Sequence, residues 1–167
     1  MLSGERGAGG GDDKTPYVQI AEMKTLASEN EVVMSGEKAA YYKVTGSIVH
    51  ILNNEERQNY YLACQVCKKK VTEEPQGFNC LSCQKYFDGA VPTYNFSMIL
   101  SDASGTGEYI SVLGDQVGDF VLGGTPASDL HEMQQSGNIN GIKDLFTKNA
   151  FKQVTLLVRA RLDTIGQ

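Results

Sequence analysis

Tyr60-Tyr61-Leu62-Ala63-Cys64-Gln65-Val66-Cys67 and, after an interval of twelve residues, Cys80-Leu81-Ser82-Cys83 carry all four cysteines of this 167-residue chain. Each Cys-x-x-Cys pair can curl its backbone so that two thiolates face one centre. A turn at Gln76-Gly77 brings the pairs together. Four thiolates about 2.3 Å from one ion, in a tetrahedron, form a closed structural zinc site. The interval is shorter than the common spacing for this pattern but within reach. Two disulfides, a rubredoxin-like iron site and redox-active pairs are the alternatives. The N-terminus has no apolar signal region, which weighs against disulfides. A redox pair would want a βαβ setting, whereas these pairs sit among lysines and glutamines. Zn2+ on Cys64, Cys67, Cys80 and Cys83 is therefore the expectation. With no coordination position left for water, its role is structural.

The composition frames what surrounds this insert. A chain of this length suits one domain with a real core, and 41% hydrophobic with 21% charged residues is ordinary for a globular protein. No run reaches the roughly 18 apolar residues of a membrane span, so no membrane partner is expected. The cysteine usage suits a reducing compartment, cytosol or nucleus. The net charge of −5 by itself argues against a strongly nucleic-acid-binding surface, but its distribution is uneven. No Lys or Arg lies between Lys85 and Lys143, against seven carboxylates from Asp88 to Glu132. The cations gather at Lys68, Lys69, Lys70 and Lys85, and again from Lys143 to Arg161. A polyanion would be held from those two places.

Outward from the cysteines, the periodicities give the elements. Residues 1–16 are Gly-rich and polar and read as a flexible tail or linker; 17–167 read as the folded domain, with the ribbon inserted at about 60–90. Ile20, Met23 and Leu26 have helical spacing. Tyr41–Leu52 is rich in β-branched and aromatic residues and reads as a long strand, bulged or bent at Gly46. Asn53–Asn59 is a polar turn. Tyr94–Leu100 alternates, with Tyr94, Phe96, Met98 and Leu100 on one face. Asp102–Gly107 is a turn, and in Glu108–Leu113 Ile110 and Val112 face away from Tyr109, Ser111 and Leu113. A short helix from Gly114-Asp115 stops at Gly123-Gly124. Thr125-Pro126 reads as an N-cap with proline at the first helical position, closing at Gly137. Asn138 caps another helix with Ile139, Ile142, Leu145 and Phe146 inward. Phe151–Leu162 is the last strand, with Val154, Leu156, Val158, Ala160 and Leu162 on its apolar face. Bent strands with helices before the last one suit a small Greek-key barrel of the OB type, and equally a generic α+β domain.

Longer stretches narrow this. YYLACQVCKKKV and GFNCLSCQKYF, then YNFSMILSDASG, VLGDQVGDFVLG and IKDLFTKNAFKQVTLLVRARL occur in this order. Together, over Tyr41–Leu162, they resemble the C-terminal zinc-containing OB domain of the large subunit of replication protein A, the eukaryotic single-strand DNA-binding protein. Large-subunit-like proteins of meiosis and of telomere or telomerase complexes share this domain. The resemblance implies a mainly β OB-fold Greek-key barrel with an inserted four-cysteine zinc ribbon. It also implies nuclear localisation, single-stranded DNA and the other subunits of such a complex as partners, and work in replication, repair or telomere maintenance.

In that family aromatic side chains on the outer sheet face stack on bases, each worth about 1–3 kcal/mol, while Lys and Arg follow the phosphates. Tyr109 stands where a stacking aromatic is usual. Leu113 replaces a second aromatic, Ser97 a basic residue, and another aromatic is common near Ile165. The candidate nucleic-acid contacts are thus Tyr109, Arg159, Arg161, Lys43, Lys68 and Lys85. The family continues past the position of Gln167 with a closing strand and a helix. Either the sequence is cut short before that strand, or the barrel is completed by another chain or by the N-terminal segment; a barrel without it would expose an edge. His50 and His131 show no partner pattern, and GDQVGD lacks the Lys-Ser/Thr of a phosphate loop, so no enzyme is expected. The reading from another class is a subunit-docking OB module with weak or no DNA binding.

Overall fold

The computed structural model describes residues 2–5, 14–53, 58–105 and 107–162. In chain order the elements are β1 (Leu2–Glu5), α1 (Ile20–Glu29), α2 (Glu31–Met34), β2 (Ala40–Ile51) and β3 (Tyr60–Ala63). Then come β4 (Thr72–Glu74), β5 (Gly77–Cys80), β6 (Lys85–Phe87), β7 (Val91–Ser101) and β8 (Gly107–Leu113). The last are α3 (Asp115–Val121), α4 (Ala127–Gln135), α5 (Ile139–Asn149) and β9 (Gln153–Ala160). Strands β2, β9, β1, β8 and β7 are hydrogen-bonded in that order, and β7 pairs back onto β2. The ring is the expected OB barrel.

β2 makes the closure possible. Its first part, Ala40–Ser47, runs antiparallel to β9, and Ser47–Ile51 pairs with β7. Gly46 sits at the hand-over, where a Cβ would lie 2.8 Å from the Ser101 carbonyl oxygen and 2.9 Å from Leu100 Cγ. Only glycine lets the strands approach there. The irregularity expected at Gly46 itself lies further on, as a register shift between Ile48 and His50.

The slot between β8 and β9 is filled from the other end of the chain. β1 runs parallel to β8 and antiparallel to β9. Composition assigns residues 1–16 to a tail, yet Leu2–Glu5 form a barrel strand. Backbone pairing along two open edges outweighs the poor local propensity. Residues 6–13 lie outside the described residues, as do Asn54–Arg57 of the expected polar turn, Thr106 and Ile165.

Strict alternation builds the core. Tyr94, Phe96, Met98 and Leu100 of β7, Ile110 and Val112 of β8, and Val154, Leu156, Val158 and Ala160 of β9 form one cluster with Ile142, Leu145 and Phe146 of α5. Tyr94 is fully buried, and its hydroxyl donates to the Thr125 carbonyl at 2.6 Å. Burial first, then the carboxylates of Asp119, Asp129 and Asp115, push its pKa far above the ordinary value, so it remains a donor. Its ring lies on Gly118 of α3, where a Cβ would come within 2.2 Å.

Several local expectations shift. β9 is shorter than Phe151–Leu162, because Phe151 adopts φ 63° and Leu162 lies beyond the last pair, 41% exposed. Ile48 donates to the Lys152 carbonyl and accepts from the Phe151 N–H, so two residues face one in a bulge. Pro126, not Thr125, is the N-cap of α4, without a side-chain cap bond. The Tyr94 hydroxyl holds the Thr125 carbonyl in the extended approach. Ile139, in the first turn of α5, is 53% exposed, ahead of the buried Ile142–Leu145–Phe146–Asn149 stripe. Ser111 is buried although it shares the outer side of β8 with Tyr109. His131 does have a partner: its Nδ1 lies 3.0 Å from the Tyr60 hydroxyl, tying α4 to the ribbon base.

α1 is anchored by Ile20 and Met23, both fully buried. Its first free amide, Ile20 N–H, donates to Asp102 Oδ2 at 2.7 Å. The β7–β8 turn thus supplies the cap that Gln19 does not.

Candidate metal centre and nucleic-acid surface

β3 pairs along the first part of β7, from Tyr60 opposite Tyr94 to Ala63 opposite Val91, so the ribbon stands on a continuation of a barrel strand. β4, β5 and β6 form its own small sheet. Its interior is minimal: Cys64, Val71 and Cys80, flanked by Leu62, Phe78 and Phe87. So few apolar side chains cannot hold a fold alone, and a further cross-link is needed.

The cysteines occupy that position. All four sulfurs lie within 4.8 Å of one another, with Cys64–Cys83 at 3.9 Å and Cys67–Cys80 at 3.5 Å. A tetrahedron with bonds of about 2.3 Å has edges of about 3.8 Å, whereas a disulfide requires about 2.05 Å. The four residues are free thiols, and their spacing fits one ion between them. The two knuckles share a build. Val66 N–H donates to Cys64 Sγ and Cys83 N–H to Cys80 Sγ, both at 3.4 Å. The residue after each pair, Lys68 at φ 62° and Gln84 at φ 56°, turns left-handed.

The thiols also divide electrostatically. Burial alone would raise the Cys64 pKa, but the backbone amides of Cys67 and Val66 and the thiols of Cys80 and Cys67 outweigh it, bringing it to about 6. Cys83 is pushed up to about 12, first by hydrogen bonding with Cys67, then by burial and by Cys80 and Cys64. One thiolate forms readily and the next is resisted. A cation at the centre would remove that conflict.

The nucleic-acid candidates spread over three regions. Tyr109 is 60% exposed on the outer side of β8, opposite Ile99, and Leu113 lies on the same side opposite Asn95. Arg159 is half-buried on the outer side of β9, opposite Tyr41 of β2 and Ser3 of β1. Since β1 lies between β8 and β9, Tyr109 and Arg159 stand two strands apart around the barrel. Arg161 is exposed just past β9. Lys43, opposite Leu157, holds its ammonium 5.1 Å from the Tyr17 ring centroid. On the ribbon, Lys68 Nζ donates to the Gln65 carbonyl at 3.1 Å, and Lys85 Nζ lies 5.1 Å from the Phe87 ring centroid. Tyr17 and Tyr41 are exposed aromatics beside Lys43 and Arg159 that sequence reasoning passed over. The signal for Tyr41 was its alternation with Lys43; for Tyr17, only its place beside a helix start.

The sequence pattern of the replication factor-A C-terminal domain matches residues 41–167. The chain belongs to that family. As a replication factor-A C-terminal domain, it is 28% identical over 169 residues to the replication protein A 70 kDa DNA-binding subunit of Xenopus laevis, covering 98% of this chain and 25% of that one. The Danio rerio subunit is 34% identical over 99 residues, 58% of this chain and 14% of the relative. Replication factor A protein 1 of Schizosaccharomyces pombe is 25% identical over 146 residues, 86% and 23%. The chain thus spans a quarter or less of the length of these relatives. Two solved structures share the fold. One is a replication protein A heterotrimer bound to ssDNA, with TM-score 0.73 and 22% identity over 92% of this chain and 33% of that one. The other is yeast RPA bound to ssDNA, with TM-score 0.66 and 22% identity over 89% and 79%. Among the described residues, no helix is long and apolar enough to cross a membrane.

Proposed function

We propose that this domain binds single-stranded DNA as an OB module of a replication protein A-like large subunit, in the nucleus, alongside other subunits of such a complex. It would serve replication, repair or telomere maintenance without catalysis of its own. The observation that carries the reading is the open, outward ring of Tyr109 on β8 of a barrel whose relatives are DNA-binding subunits. Stacking on one ring is sequence-tolerant because every base has a π-face. Arg159, Arg161 and Lys43, with Lys68 and Lys85 on the ribbon, supply phosphate contacts. Zn2+ on Cys64, Cys67, Cys80 and Cys83 holds the ribbon in shape, and the described protein groups do the binding.

One further reading has its own support. Val66 and Leu81, at the tips of the two knuckles, are 66% and 80% exposed, and Leu113 replaces an aromatic. These favour docking of another subunit. Fluorescence anisotropy with labelled oligomers of about 20–30 nucleotides, of mixed and G-rich sequence, separates the two. Saturable binding at low salt is expected. Absence of binding would transfer the function to docking, and a preference for G-rich strands would indicate a telomeric role.

A further inference from the structure

The cations Lys43 and Arg159 stand apart from Tyr109, and each has an exposed tyrosine beside it. Lys43 lies over the ring of Tyr17, which is 69% exposed. Backbone bonds fix that pairing: Val18 N–H donates to the Lys43 carbonyl at 3.0 Å, and Lys43 N–H to the Pro16 carbonyl at 2.9 Å. Tyr41, two residues back on the same side of β2, is 43% exposed and directly opposite Arg159. Arg159 Nε is shielded from solvent and has no hydrogen-bond acceptor among the described residues. Beyond Lys43, Thr45 and Ser47 line an open groove of about 700 Å³ together with Tyr17, Gln19, Gln153 and the carboxylates of Glu22 and Asp102.

Open aromatic rings set beside cations are the composition of a surface that takes bases on the rings and phosphates on the charges. The amides and hydroxyls of the groove offer donors and acceptors to base edges. We propose that this β2–β9 wall is a second single-strand contact surface, with Tyr17 and Tyr41 as stacking platforms and Lys43 and Arg159 on the phosphates. It rests on the single-strand-binding reading above and extends it to a longer footprint than the Tyr109 wall provides.

The test uses the full chain and a labelled oligomer of about 30 nucleotides, long enough for more than one contact region. Tyr17→Ala with Tyr41→Ala should weaken binding roughly tenfold or more, while Tyr17→Phe with Tyr41→Phe keeps the rings and the affinity. A bromodeoxyuridine-substituted oligomer, cross-linked by light and mapped by mass spectrometry, should mark Tyr17 or Tyr41. Unchanged affinity in the double alanine variant, with cross-links confined to Tyr109 and its neighbours, overturns this surface and leaves the single-strand reading intact. A wild-type protein that binds no oligomer overturns both. Equal losses of affinity and melting temperature in the phenylalanine and alanine variants would make the tyrosines structural and overturn the proposal.

Discussion

Phe151 shows what a residue can hide from sequence reasoning. It reads as the first residue of an apolar strand, yet it is 80% exposed and takes φ 63° in the bulge against Ile48. That conformation costs a non-glycine residue roughly 1–2 kcal/mol, and asparagine tolerates it better. Phe151→Asn should therefore stabilise the fold by about 1 kcal/mol, raising Tm by about 2–4 °C for a domain of this size. A lower melting temperature would show that the phenyl ring makes a contact the fold needs. Lys68 and Gln84 are equally silent: no glycine marks the left-handed turns that close the two knuckles. The cysteines themselves were legible, because metal geometry constrains both residue type and spacing. Tyr17 and Tyr41 were not, because exposure depends on which neighbouring chain covers a strand.

Among the elements, the long alternating strands were readable, since a period of two with one apolar face admits few other interpretations. β1 was unreadable: its four residues carry no pattern, and its place is set by the two edges it joins. α1 is an intermediate case, its face visible in Ile20 and Met23 but its cap supplied across the fold by Asp102. Burial alone would raise the Asp102 carboxyl's pKa, but bonds from the Ser104 hydroxyl and from the Ile20 and Ser104 amides hold it below the usual range. A depressed folded-state pKa means the unfolded chain binds the proton more tightly. The stabilisation is therefore complete above the unfolded value near 3.9 and is lost as pH falls through the folded one. Asp102→Ala should cost about 1–3 kcal/mol at neutral pH. The gap in thermal stability from wild type should close as pH drops below about 4. A gap that persists in acid would mean that Asp102 acts through packing rather than charge.

At the scale of the whole molecule, two cores of very different size meet at β3, where Tyr60 belongs to the barrel core and Leu62 packs against both. The barrel core takes residues from five strands and all of the helices except α2, whereas the ribbon's buried core is Cys64, Val71 and Cys80. With an ion held by the four cysteines, as proposed, a strong chelator should unfold the ribbon, leave the barrel's thermal transition in place and weaken single-strand binding. Metal-free protein with undiminished affinity would remove the ribbon from the binding surface. Because the thiols must ionise to bind a metal, its release should also become easier toward acid pH.

The proposed single-strand binding joins stacking on Tyr109 to phosphate contacts from Arg159 and Arg161, and salt reports those contacts directly. The decisive measurement is single-strand affinity as a function of salt, for the wild type and for Arg159→Ala combined with Arg161→Ala. Affinity should fall steeply with salt in the wild type, and the double variant should have a log–log slope smaller by about one to two phosphate equivalents. Identical slopes, or no binding by the wild type at low salt, would contradict the account.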